Sequence, residues 1–166
     1  MHILSKVSNN IKGDKMVQDI MTKKIIYAKA DDTISSVSKK MLEFDIGFLP
    51  VEKNKKIIGV ITDRDIATKV YSNTKSLDVK IEDYINKNII FCNKESKLEE
   101  ALSIMSKNKV KRLIVLDNKL VVGIISLSDI LNHFNNELLL IDTLKSIFTI
   151  NRNTDKYKTE IDEFYL

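Results

Sequence analysis

The chain repeats itself. Laid over itself so that Asp19 meets Asp83, it matches without a gap from about Val17 to Ile66: Ile25-Ile26 meet Ile89-Ile90, and Met41 meets Met105. Leu49 meets Leu113, Val51 meets Val115, and Gly59, Ile61, Asp65 and Ile66 meet Gly123, Ile125, Asp129 and Ile130. A gap-free register of this length means two copies of one folding unit. Each copy carries the same succession of patterns. A short helix opens it (VQDIM, then IEDYI), and a brief β-rich run follows (IIYA, then IIFC). Apolar residues then recur at helical spacing: Ile34, Val37, Met41 and Leu42 in the first copy, Leu98, Ala101, Leu102 and Met105 in the second. Two strands come next, FLPVE with KIIGVI and RLIVL with LVVGII, joined by the polar turns KNK and DNK. A helix closes each unit, from about Asp63 to Tyr71 and from about Leu127 onward.

The expected fold is therefore α/β (α+β), two β-α-β-β-α repeats. One such unit is too small to cover both faces of its sheet, and two bury each other about a pseudo-twofold axis. The expected organisation is an extension over 1–15, a first repeat over 16–72, a linker over 73–79, a second repeat over 80–136, and a C-terminal helix and tail over 137–166. Phe134, Leu138, Ile141, Leu144 and Phe148 step by three or four, so the last helix is expected to run on to about 148. Its stripe packs on its own domain or forms a dimer contact. The polar, then acidic and aromatic, end is a mobile tail or a docking peptide.

Composition narrows the function classes. Of 166 residues, 43% are apolar and 30% charged, which are globular values. The N-terminus has no signal-peptide core, and the longest aliphatic run, LLLI, is far shorter than a membrane span. A single cysteine makes neither an internal disulfide nor a metal cluster. A cytoplasmic setting, no metal and no membrane follow as expectations. The net charge of +4 is spread as single lysines and short pairs rather than a dense stripe, which argues against nucleic acid. The two histidines, His2 and His133, do not sit in the repeated clefts and assemble no nucleophile–base pair, so no enzyme and no catalytic residue is expected.

What remains is a doubled hydroxyl–carboxylate, Thr62-x-x-Asp65 and Ser126-x-x-Asp129, each where a strand ends and a helix begins. Local structure alone accounts for it. Ser or Thr at an N-cap with an acidic residue at N3 makes a capping box, and Ile61 with Ile66, or Ile125 with Ile130, makes a hydrophobic staple. A binding site accounts for it too. The positive helix end suits an anion. A carboxylate accepts two hydrogen bonds from a ribose diol, and Gly47 and the lone Pro50 shape an open strand entry.

DIMTKKII, IGFLPV, GVITDRDIA and VKRLIVLDNKLVVGIISLSDIL together resemble a tandem CBS-domain (cystathionine β-synthase-type) pair of the stand-alone bacterial kind, over about residues 16–136. The resemblance implies a regulatory module for adenosine ligands, AMP, ADP or ATP before S-adenosylmethionine. It acts through a homodimer or an unknown protein partner and requires no cofactor. It assigns ribose to Asp65 and Asp129, with Thr62 and Ser126 near ribose or phosphate. The adenine falls to Ile46, Gly47, Phe48 and Pro50, with Ala28 opposite. The matching positions in the second copy are Val110, Lys111, Arg112, Ile114 and Cys92. Arg64, Lys111 and Arg112 are the phosphate candidates. Arg64 in one motif and Ser128 in the other make the clefts unequal, as do Pro50 against Ile114 and the presence of Tyr27 and Phe91 where the family often has Thr. The alternative is a ligand-free dimerisation or interaction scaffold.

Overall fold

The computed structural model describes residues 15–73, 76–134 and 136–148. The expected extension, the middle of the linker and the tail lie wholly or mainly outside them. The chain runs α1 (Val17–Ile20), β1 (Ala28–Lys29), α2 (Ile34–Glu43), β2 (Phe48–Lys53), β3 (Lys56–Thr62) and α3 (Asp63–Asp65). A π-helical turn over Ile66–Val70 joins α3 to α4 (Tyr71–Asn73). The second copy has a 3-10 turn (Ile81–Asp83), β4 (Phe91–Asn93), α5 (Leu98–Asn108), β5 (Arg112–Asp117), β6 (Leu120–Ser126), α6 (Leu127–Leu131) and α7 (Glu137–Phe148). Each copy forms a three-stranded sheet in sequence order, its first strand parallel to the second and its second antiparallel to the third. The mixed α/β expectation holds.

Local chemistry explains the elements. Ile34, Val37 and Met41 lie on one buried stripe of α2, and Thr33 Oγ1 caps the helix by accepting from the Ser36 N–H at 3.2 Å. Leu42, expected on that stripe, is 84% exposed. At about 100° per residue it falls roughly a quarter-turn beyond the stripe's edge. In both hairpins the two turn residues have positive φ: Asn54 at 52° and Lys55 at 60°, Asn118 at 46° and Lys119 at 70°. Those values mark type I′ turns, whose twist matches that of the flanking strands.

The last helix does not run unbroken to 148. Asn132 terminates α6, and Asn136 Oδ1 accepts from the Leu139 N–H at 3.1 Å to start α7. Capping residues between two apolar stretches have won over their shared periodicity.

The two cores trade segments. Val17 of α1 is buried in the second copy's core with Leu98, Leu102, Met105, Leu113 and Ile125. Ile81 and Ile85, which open the second copy, are buried in the first copy's core with Ile34, Val37, Leu49 and Ile61. Backbone pairs stitch the trade. Thr22 exchanges hydrogen bonds with Ile124 at 2.9 and 3.0 Å, and Asn86 does so with Val60 at 2.9 and 2.8 Å. Thr22 and Asn86 are equivalent positions of the two copies, as are Val60 and Ile124, so these contacts repeat each other about the pseudo-twofold axis.

Gly59 and Gly123 make the trade possible. Neither has positive φ. A Cβ on Gly59 would lie 2.8 Å from Ile85 Cδ1 and 2.9 Å from Asn86 O, and one on Gly123 2.6 Å from Met21 Sδ and 3.1 Å from Thr22 O. At Gly59 the opposing backbone passes too close for a side chain, whereas at Gly123 the nearest obstacle is the flexible Met21 side chain.

Candidate functional site

Both hydroxyl–carboxylate motifs form the capping boxes that local structure predicts. Thr62 donates to Asp65 Oδ2 from its N–H at 3.0 Å and from its Oγ1 at 2.6 Å, and the Asp65 N–H donates to Thr62 Oγ1 at 3.1 Å. Ser126 and Asp129 repeat the pattern at 2.8, 2.6 and 3.2 Å. Each box uses Oδ2 and leaves Oδ1. In the first copy Lys69 Nζ holds Asp65 Oδ1 at 2.7 Å. The equivalent of Lys69 is His133, whose Nδ1 lies 2.9 Å from the Asp129 backbone carbonyl instead of its carboxylate. Burial pushes the Asp65 carboxyl up. The hydrogen bonds from Lys69 and Thr62 and the Lys69 charge outweigh it, so the carboxyl titrates below the ordinary range and is ionised at neutral pH.

A cleft of about 300 Å³ opens beside Asp65. Thr62, Asp63, Arg64, Asp65, Val60 and Phe48 form its first-copy wall. The other wall belongs to the second copy: Asn86, Asn88, Ile89 and Ile90 ahead of β4, then Lys109, Val110, Lys111, Arg112 and Ile114 at the start of β5. Apolar Phe48, Ile89, Ile90, Val110 and Ile114 thus face a motif edged by Arg64, Lys109, Lys111 and Arg112. Among the described residues none of these four cations is in an ion pair. Phe48 and Arg112 are equivalent positions of the two copies and meet across the axis, with Arg112 Cζ 5.8 Å from the Phe48 ring centre.

The expected residues are thereby regrouped. The carboxylate of copy one shares its cleft with the strand entry of copy two, Val110 to Ile114, because the opening segments are exchanged. Gly47 makes room for the Asp63 carboxylate, which a Cβ there would strike; the Asp63 N–H also donates to Gly47 O at 3.2 Å. The close approach this glycine permits is thus that of its own helix. Ile46 packs against the first core and Pro50 is buried. Ala28 and Cys92 are wholly or almost wholly buried in the two cores and do not face the cleft. Burial raises the Cys92 thiol to about 12, so it carries no thiolate chemistry at neutral pH.

Ser126, Ser128, Lys111 and Arg112 come together elsewhere, around a cavity of about 210 Å³ walled by Leu127, Leu131, Leu144 and Phe148. Lys111 Nζ stands 4.2 Å from the Phe148 ring centre. Asn86, Asn88, Ile89, Ile90 and Lys109 are cleft residues that sequence reasoning missed. For Asn86 the signal was Gly59, a mid-strand glycine that marks the close approach of the opposing backbone.

No helix among the described residues is long and apolar enough to cross a membrane. A family model described as CBS domain matches residues 17–72 and again 81–136. An uncharacterised protein of Methanocaldococcus jannaschii is 35% identical over 129 residues, which cover 77% of this chain but only 40% of that one. A conserved CBS-domain protein of unknown function from Thermoplasma acidophilum superposes with a TM-score of 0.72 at 24% identity, over 81% of this chain and 77% of that one. The CBS-domain pair of protein MJ0100, solved in complex with 5′-methylthioadenosine and S-adenosyl-L-methionine, superposes with a TM-score of 0.66 at 28% identity, over 74% of this chain and 97% of that one.

Proposed function

The chain belongs to the CBS-domain family and carries two copies of its repeat, and from that premise we propose that it is a regulatory module whose inter-copy cleft takes an adenosine ligand. The observation that carries this reading is the cleft itself. It gathers an ionised carboxylate at a helix start, an apolar wall and four cations around one space of about 300 Å³. That is the low end of the range for small-molecule sites. Asp65 receives the ribose diol. Arg64, Lys109, Lys111 and Arg112 receive phosphate, and the ring lies against Ile89, Ile90, Val110 and Ile114. AMP, ADP and ATP suit the cations best. The MJ0100 pair, with its methylthioadenosine and S-adenosylmethionine, supports the adenosine class more broadly. The output passes through a homodimer or a partner, and requires that the ligand bind two states unequally.

Calorimetric titration of AMP and ATP tests this. Asp65→Ala weakens binding by about 1.5–3 kcal/mol, the scale of hydrogen bonds to a charged group. Tight binding that ignores both Asp65→Ala and Asp129→Ala removes the carboxylates from the reading.

A ligand-free scaffold is the second reading. What favours it is that both carboxylates already serve their own helices, while Leu138, Ile141 and Phe148 leave α7 with an exposed apolar side. It predicts that no nucleotide raises the melting temperature.

A further inference from the structure

The far ends of the same hairpins enclose a second space, a groove of about 450 Å³. It is centred on the pseudo-twofold axis, because every residue lining it has its equivalent in the other copy on the opposite wall. Tyr27 faces its equivalent Phe91, Lys55 its equivalent Lys119, and Ile57 its equivalent Val121. The symmetry breaks at two pairs, where Glu52 and Lys56 of the first copy stand against Leu116 and Leu120 of the second. The first-copy wall is therefore the more polar and the second-copy wall the more apolar, with a lysine and an aromatic ring on each side.

Its lysines hold no carboxylate, as Lys109 and Lys111 of the other cleft hold none, and two of them sit in the left-handed backbone region. Lys40, Lys53, Lys69 and Lys94 each hold a carboxylate. Among the described residues Lys55, Lys56 and Lys119 hold none, and Glu52 is the one acid that lines the groove with them. Lys55 and Lys119 also occupy the second position of type I′ turns with φ of 60° and 70°. Glycine adopts that conformation freely and lysine does not. Both copies thus keep a strained lysine at the mouth of the groove, where glycine would make the better turn.

We infer that this axial groove binds a small anion bearing a flat ring, of the phosphomonoester class, with the ring between Tyr27 and Phe91 and the phosphate on Lys55 and Lys119. Stacking on aromatic faces and charge-assisted hydrogen bonds from lysine are the two interactions the walls offer. The inference is independent of the cleft at Asp65, which lies at the opposite ends of the strands.

Flavin mononucleotide is the probe, titrated into the full chain by calorimetry and by amide chemical shifts, with riboflavin and inorganic phosphate as the ring alone and the anion alone. The expected result is saturable binding of flavin mononucleotide, tighter than either control, with shifts at Tyr27, Phe91 and both turns. The double substitution Lys55→Gly with Lys119→Gly relaxes the turns, so it raises the melting temperature while weakening binding by at least about tenfold. Asp65→Ala leaves this binding unchanged, which separates it from the adenosine cleft. Any one of four results overturns the inference: no saturable binding, unchanged affinity in the double variant, shifts centred on Thr62 and Asp65, or inorganic phosphate binding as tightly as the flavin.

Discussion

Gly59→Ala tests the exchange of segments on which the cleft depends. Ordinary contact begins at 3.4 Å, and the new Cβ would lie 2.9 Å from Asn86 O. That oxygen must therefore recede by roughly half an ångström to reach a tolerable separation. It cannot do so freely. Asn86 exchanges two hydrogen bonds with Val60, at 2.9 and 2.8 Å, and a shift of that size stretches both beyond good geometry. Ile85 Cδ1, at 2.8 Å, must move as well, inside a packed core. Overpacking of this kind costs about 1–3 kcal/mol. Replacing a strand glycine returns about 0.5–1 kcal/mol of backbone entropy. The net loss is about 1–2 kcal/mol, or roughly 3–6 °C in melting temperature for a chain of this length. Gly123→Ala is the control. Its nearest obstacle is Met21 Sδ, the far end of a flexible side chain, and Thr22 O at 3.1 Å need yield only slightly. It loses about 0–1 kcal/mol on the same reasoning. Differential scanning calorimetry of the two variants decides. A Gly59→Ala protein as stable as the parent, or more stable than Gly123→Ala, refutes the account. Because Asn86 lines the cleft, Gly59→Ala also weakens whatever binds there, whereas Gly123→Ala does not touch that wall.

Acid weakens the fold in a predictable window. Asp32 and Asp65 are each pushed up by burial and pulled further down by their lysine partners, Lys40 and Lys69, and by hydrogen bonds. A carboxyl with a lowered folded pKa contributes its stability in full above the unfolded value, about pH 4, and loses it as the pH falls through the folded value. Urea melts at stepped pH will therefore show Asp65→Asn less stable than the parent at neutral pH, by about 1 kcal/mol, with the gap closing below about pH 4. An unchanging gap would contradict the assignment. Cys92, buried and with its thiol raised to about 12, should resist iodoacetamide in the native protein and react once urea unfolds it. Rapid native labelling would show that the second core opens.

The patterns that were legible in the sequence are those decided within a few residues. The polar KNK and DNK turns, the Thr62 and Ser126 caps and the stripe of Ile34, Val37 and Met41 depend on neighbours along the chain, and the structure contains each of them. What the self-match did not convey was which copy's opening segment joins which core. Two copies of one unit present nearly the same surface to Val17 or Ile81, so local pattern is indifferent to the choice. Assigning each carboxylate to its own copy's strand entry followed from that indifference. The break between α6 and α7 was illegible for a different reason: periodicity ran through it, while Asn136 Oδ1 took up the Leu139 N–H that an unbroken helix would have bonded within itself.

Whether the doubled carboxylate serves the helix or a ligand is decided atom by atom rather than residue by residue. Oδ2 of Asp65 belongs to the cap, since Thr62 presents it with both an N–H and an O–H. Oδ1 belongs to an i,i+4 ion pair whose lysine side chain is 49% exposed. Releasing that lysine costs only about 0.3–0.5 kcal/mol, the measured scale of such helix pairs. Hydrogen bonds from a sugar diol to an ionised oxygen return about 1.5–3 kcal/mol. The second sum exceeds the first several-fold, so the cap can stay closed while Oδ1 changes partner. A capping box therefore leaves the adenosine reading intact. It holds the carboxylate in one rotamer, so that a ligand finds the acceptor already placed.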